Sequence, residues 1–119
     1  MKYIQMSKKV VVFGGNGFIG SYVVEELLNQ GYEVVSADLN SSKYVDDKYF
    51  KKCDILDVES VNLLIKGADI VYNFAGFANL DDAIANPIKA IELNVMGNMN
   101  ILEACKNNNI KRFIYASSA

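Results

Sequence analysis

The stretch Lys9-Val10-Val11-Val12-Phe13-Gly14-Gly15-Asn16-Gly17-Phe18-Ile19-Gly20 decides how this chain folds. Its first five residues are an apolar, β-branched run, which reads as a strand buried on both faces of a parallel sheet. Glycines then recur at three-residue intervals, as Gly14, Gly17 and Gly20, directly before a helical pattern. That context suits a dinucleotide. Gly14 permits a tight turn, Gly17 lets the backbone approach a pyrophosphate, and Gly20 allows close helix-to-strand packing. The start of the following helix offers N–H donors and the positive end of its dipole. The whole turn, with Asn16, Phe18 and Ile19, is therefore a candidate cofactor-binding element. A flexible loop with no ligand is the plainer alternative, but three spaced glycines raise the entropy of the unfolded chain without an evident structural need. An ATP-binding P-loop fails, because Ser21-Tyr22 follows Gly20 where Lys and then Ser or Thr are required.

Outward from the turn, Ile19, Val23, Val24, Leu27 and Leu28 recur at helical spacing over Phe18–Asn29, and Gly31 stands where a left-handed residue would end the helix. Residues 33–37 read as a second strand, and the polar stretch 40–47 as a loop. Residues 49–53 read as a third strand, and Asp57 can cap a helix in which Val58, Val61, Leu64 and Ile65 share a face. Residues 69–74 read as a fourth strand. Asn86-Pro87 opens the longest helical pattern, which runs to about residue 107 with an apolar stripe of Ile88, Ile91, Val95, Leu102 and Cys105. Asn107-Asn108-Asn109 can take left-handed geometry at its end, and residues 112–116 read as a fifth strand. Strands alternating with helices predict an α/β, Rossmann-type parallel sheet in the order 3-2-1-4-5, incomplete at the C-terminus. The long helix's stripe serves equally well as core or as half of a homodimer interface.

The 119 residues suit one domain, read over 1–119 as NAD-binding. Hydrophobic residues are 51% and charged residues 22%, a profile far from that of a disordered chain. With a net charge of -2 and no basic face, nucleic acid is excluded as an expected partner. No apolar run is long enough for a membrane span, and a cytoplasmic location is expected. The sequence has no histidine, which removes imidazole acid–base chemistry and argues against a transition metal. Cys53 and Cys105 form no CxxC pair and are expected to be buried packing thiols.

Asp38 ends the second strand, about twenty residues beyond the glycine turn, where a carboxylate accepts hydrogen bonds from the adenosine ribose. It would repel a 2′-phosphate, and its neighbours Leu39 and Asn40 offer no arginine to receive one. NAD is therefore the expected cofactor. A solvated charge at a strand end is the alternative reading of Asp38.

With these motifs in place the sequence resembles the extended short-chain dehydrogenase/reductase family, in its nucleotide-sugar epimerase and dehydratase branch, over nearly the whole chain. The resemblance implies that Asp38, Leu39 and Asn40 meet the ribose and that Asp54 and Ile55, within Cys53-Asp54-Ile55, contact adenine. It implies that Phe74, Ala75 and Gly76 lie beside the cofactor and that the Asn94 amide, in Asn94-Val95-Met96-Gly97, helps organise the site. By itself Asp54 is equally a turn cap, and Asn94 a solvent-facing helix residue. Tyr115-Ala116-Ser117-Ser118-Ala119 resembles the motif that carries the catalytic serine or threonine, with Ser118 in its register. Asn73 stands where many members have histidine, and Ala78 where some epimerases have lysine.

The resemblance implies a parent enzyme that oxidises a sugar carbon, usually C4, by hydride transfer to NAD and then returns or redirects the hydride. A downstream Tyr-x-x-x-Lys would supply the general acid/base, and no such pair is expected anywhere within residues 1–119. The chain by itself is accordingly expected to be inactive and to be part of a longer enzyme with a nucleotide-sugar substrate. An extended reductase of a non-sugar substrate would reuse the same cofactor motifs, and a non-catalytic NAD-binding module would keep the glycine turn and Asp38.

Overall fold

The fold is built around β1 (Lys9–Phe13), whose residues 10–13 are fully buried because neighbouring strands and helices cover it on every side. In the computed structural model, which describes residues 8–117, β1 pairs in parallel with β2 (Glu33–Asp38) and with β4 (Ile70–Asn73). Val11 stands opposite Val35 on one side and Val71 on the other. β3 (Phe50–Lys52) adds to β2, and β5 (Arg112–Tyr115) adds to β4. The order is 3-2-1-4-5, as the alternation of elements predicts. Side chains alternate across the sheet. Val10 and Val12 pack beneath α1 (Phe18–Asn29) with Val24, Leu27 and Val34. Val11 and Phe13 face the opposite layer with Val61, Ile65, Ile101 and Ala104. That layer is formed by α2 (Val58–Ile65) and α5 (Asn98–Asn107).

Helix ends follow local chemistry. Gly31, at φ +88°, ends α1, with its N–H donating to the Leu28 carbonyl and the Tyr32 N–H to the Leu27 carbonyl. Asn109, at φ 54°, ends α5 in the same way, its own N–H reaching Lys106 and that of Ile110 reaching Cys105. The Asp57 side chain accepts the Ser60 N–H and caps α2. β3 is shorter than its sequence suggests, because the Asp46 carboxylate accepts the Lys48 N–H and winds Asp47–Tyr49 into a 3₁₀ turn.

Two expectations are corrected, and one further helix appears. Val58 is exposed at the first turn of α2, and the buried face is carried by Val61 and Ile65. Before Pro87 the Asn79 side chain accepts the Asp82 N–H and starts a short helix, α3 (Leu80–Ala85). The long helix is also not a single α-helix. α4 (Pro87–Ile91) passes through a π-helical turn, Glu92–Gly97, into α5. Most of its expected stripe faces outward, with Ile88 74%, Ile91 60%, Val95 52% and Leu102 38% exposed, and only Cys105 is buried. The inward face is Gly97, Ile101, Ala104 and Cys105. Two of these are small, which brings the helix close to the sheet but gives them little weight in a reading for large apolar residues. Among the described residues no helix is long and apolar enough to cross a membrane.

Candidate functional site: a cleft at the carboxyl edge of the sheet

Gly14 leaves β1 at φ +74°, a left-handed conformation that glycine adopts without steric cost. Its N–H donates to the Ala37 carbonyl at 2.8 Å, tying the turn to the end of β2. A Cβ there would lie 2.6 Å from the Ala75 nitrogen, so the chain leaving β4 also packs on this glycine. The Gly17 N–H donates to the Gly14 carbonyl at 3.1 Å, and a Cβ at Gly20 would strike that carbonyl oxygen. Gly17 caps α1 with no side-chain hydrogen bond. The N–H groups of the first turn are therefore left for an anionic ligand.

Asp38 reaches the same edge from β2. Its Oδ2 accepts the Asn16 N–H at 3.1 Å and its Oδ1 accepts the Leu39 N–H at 2.8 Å. Asp54 follows β3, where its Oδ1 accepts the Leu56 N–H at 2.9 Å and fixes a turn. Ile55 is clamped from α5 by Asn100, whose Nδ2 donates to the Ile55 carbonyl at 3.0 Å. Its side chain packs where a Cβ on Gly97 would stand.

The segment after β4 is held by three asparagines. Asn73 is buried, its Oδ1 accepting the Ala75 N–H and its Nδ2 donating to Asn98 Oδ1, both at 2.9 Å. Asn94, on the π-helical turn, pairs with both polar backbone groups of Phe77. Its Oδ1 accepts the Phe77 N–H at 2.6 Å and its Nδ2 donates to the Phe77 carbonyl at 3.2 Å. A Cβ on Gly76 would lie 2.6 Å from Asn94 Oδ1.

These segments enclose two adjoining clefts. One, of about 230 Å³, is bordered by Gly14, Gly17, Asp38, Leu39, Asp54 and Ile55. The other, of about 270 Å³, is bordered by Asn73, Phe77, Asn94, Asn98 and Tyr115. Phe74, Ala75 and Gly76 form the wall common to both. Five expected binding residues stand back from these walls. The Asn16 side chain points inward, and Gly20 lies beneath the turn. Phe18 is exposed and meets the Tyr22 ring edge-on at 5.6 Å, Ile19 is exposed on α1, and the Asn40 carbonyl accepts from Asn16 Nδ2. Ser118 lies outside the described residues. The residue reading did not find Ser36, Asn98 or Asn100, because no spacing rule links a lone polar residue to a partner far along the chain.

Cys53 borders the first cleft, yet burial first, then the charges of Asp57 and Asp54, push its thiol from 9.0 up to about 11. Burial raises Cys105 to about 11 as well. Neither is a poised nucleophile. The expectation that no Tyr-x-x-x-Lys lies within residues 1–119 is corrected, since Tyr44 and Lys48 have that spacing. It falls in the β2–β3 connection, where the exposed Tyr44 borders the same surface groove as Glu25 and Leu28 of α1 and Lys48 lies over the Tyr49 ring, and neither borders either cleft.

The first cleft fits NAD. Its glycine turn is packed so tightly on its own backbone and on the chain leaving β4 that side chains at Gly14 and Gly20 would collide with it, the helix that follows starts without a side-chain cap, and among the described residues carboxylates but no basic side chain stand on the cleft's border. Comparison with known proteins agrees. The model of the NAD dependent epimerase/dehydratase family matches residues 10–119. The chain is 34% identical to the UDP-glucose 4-epimerase of Bacillus subtilis, over 92% of this chain and 36% of that protein. It is 32% identical to the UDP-N-acetyl-alpha-D-glucosaminuronate decarboxylase of Bacillus cytotoxicus, over 96% of this chain and 37% of that protein. The crystal structure of Thermus thermophilus UDP-glucose 4-epimerase in complex with NAD superposes with a TM-score of 0.84 at 33% identity, covering 92% of this chain and 37% of that one. The chain thus spans a little over a third of the length of these relatives. On the family match and the shared Rossmann architecture, the chain belongs to the NAD dependent epimerase/dehydratase family, and its cofactor is NAD.

Proposed function

We propose that this chain is the NAD-binding portion, over residues 1–119, of an enzyme that epimerises or dehydrates a nucleotide-sugar by transient hydride transfer. The observation that carries the reading is the continuity of the two clefts across Phe74–Gly76, with the phosphate-binding turn in one and the exit of β4 and β5 in the other. NAD, when bound, supplies the acceptor for a hydride from the sugar carbon. The first turn of α1 holds the pyrophosphate, Asp38 accepts from the ribose hydroxyls with Leu39 and Asn40 beside it, and Asp54 and Ile55 border the adenine. Asn94 and Asn73 fix the backbone of 73–77, and so set the floor on which the reactive end of the cofactor and the sugar meet. Ser118, matched to the family's catalytic serine or threonine by its sequence register alone, donates a hydrogen bond to the reacting sugar oxygen.

The test uses the full-length protein and UDP-sugars deuterated at C4. Deuterium retained at C4 of the epimer, or moved to C6 of a dehydrated product, is the expected result. Deuterium lost to solvent would mean proton abstraction and would overturn the hydride mechanism. Turnover of a non-sugar ketone, with none of any UDP-sugar, would favour the reductase reading.

A further inference from the structure

We infer that Asn16 is a positioning residue for cofactor choice: its buried side chain braces the end of β2 so that the Asp38 carboxylate stays fixed at the adenosine ribose. This rests on the reading of Asp38 as the ribose partner. The bracing is a short chain of bonds. Ser36 Oγ donates to Asn16 Oδ1 at 2.7 Å, and Asn16 Nδ2 donates to the Asn40 carbonyl at 2.8 Å. One amide therefore grips β2 two residues before Asp38 and the chain two residues after it. The Asn16 backbone N–H and the Leu39 N–H then take one carboxylate oxygen each.

The Ser36–Asn16 bond at the centre of the brace is buried, while its bond to the exposed Asn40 is part-buried. Asn16 is 6% exposed and Ser36 0%, and no buried side-chain polar atom among the described residues lacks a partner. Hydrogen bonds in such surroundings are stronger, and removing one partner strands the other. Gly15 belongs to the same arrangement, since a Cβ there would collide with the Ser36 hydroxyl. The position must be glycine for the serine to reach Asn16 beneath the turn.

The consequence concerns discrimination, which is a difference of two affinities. A carboxylate held by two N–H groups keeps its remaining lone pairs aimed at the ribose hydroxyls. The same carboxylate cannot turn away from a 2′-phosphate, and no basic side chain borders the cleft to offset the repulsion. Without the brace, Asp38 gains freedom to swing aside, so NAD binding weakens while the barrier to NADP relaxes.

The experiment measures dissociation constants for NAD and NADP with the full-length protein and three variants, with circular dichroism as the check on folding. Asn16→Ala removes both side-chain bonds and keeps the backbone N–H, Ser36→Ala removes one donor, and Asp38→Ala removes the carboxylate itself. The expected result is a ratio of NADP to NAD constants narrowed about tenfold in Asn16→Ala, less in Ser36→Ala and at least as much in Asp38→Ala. If Asn16→Ala weakens both nucleotides by one factor, its role is merely structural and the inference fails. If Asp38→Ala leaves the ratio unchanged, the ribose reading itself fails. If Asp38→Ala narrows the ratio and neither other variant does, only the brace is wrong. Should Asn16→Ala not fold, Ser36→Ala carries the same comparison.

Discussion

A methyl group added at Gly20 has nowhere to go, because the Gly14 carbonyl oxygen occupies its place and cannot move without opening the turn. Gly20→Ala is therefore expected to cost about 1–3 kcal/mol, the usual range for overpacking. It should also lose most of the stabilisation that saturating NAD gives the wild type. Urea unfolding with and without NAD checks both, and a variant as stable and as responsive as wild type would refute the packing argument. The buried thiols make a second prediction. Cys53 and Cys105 are held near 11, above the ordinary 9.0, so between those values the unfolded chain releases protons that the folded chain keeps. Stability is then fully present below about pH 9 and falls as pH rises toward 11. Cys53→Ala with Cys105→Ala should flatten part of that decline between about pH 9 and pH 11, and an unchanged slope would mean the thiols do not contribute. At this scale the glycine turn and Asp38 were legible because backbone geometry and charge leave a spacing in the sequence. The inward turn of Asn16 was not, since it depends on Ser36 arriving from another strand.

Among the elements, the long helix behaves least as its sequence suggests, and it shapes the site most. Its π-helical turn carries Asn94, and one turn further on Asn98 meets Asn73, so two successive turns of one helix hold the backbone leaving β4. π-turns recur at functional sites because they re-aim side chains that a regular helix would stack elsewhere. Asn94→Ala frees both polar groups of Phe77, at a cost of about 1 kcal/mol for exposed bonds of this kind. Amide exchange at Gly76 and Phe77 should accelerate well beyond that small loss, while exchange in β1 stays as in wild type. Uniform acceleration would instead mean that Asn94 only stabilises the fold. The stripe of large residues pointed to the wrong face of this helix, because Gly97 and Ala104 bury their side through closeness, not bulk. Capping signals were reliable by contrast: Asp57, Gly31 and Asn109 all act within a few residues of their own position.

For the molecule as a whole, the outward face of that helix is the feature the fold itself leaves unused. Ile88, Ile91, Val95, Met99 and Leu102 are all exposed and recur at helical spacing along the segment from α4 to α5. A contiguous apolar surface of this kind marks a site of association. A helix face that pairs with its own copy about a two-fold axis would bury it at both ends at once, the commonest closure for soluble oligomers. We therefore expect the full-length protein to sediment as a homodimer. Ile91→Lys places a charge on the exposed face at a residue that borders neither cleft, so it should shift the protein to monomer and leave the dissociation constant for NAD unchanged. Wild-type protein that sediments as a monomer would exclude self-association through this helix. A dimer that survives Ile91→Lys would place the contact elsewhere.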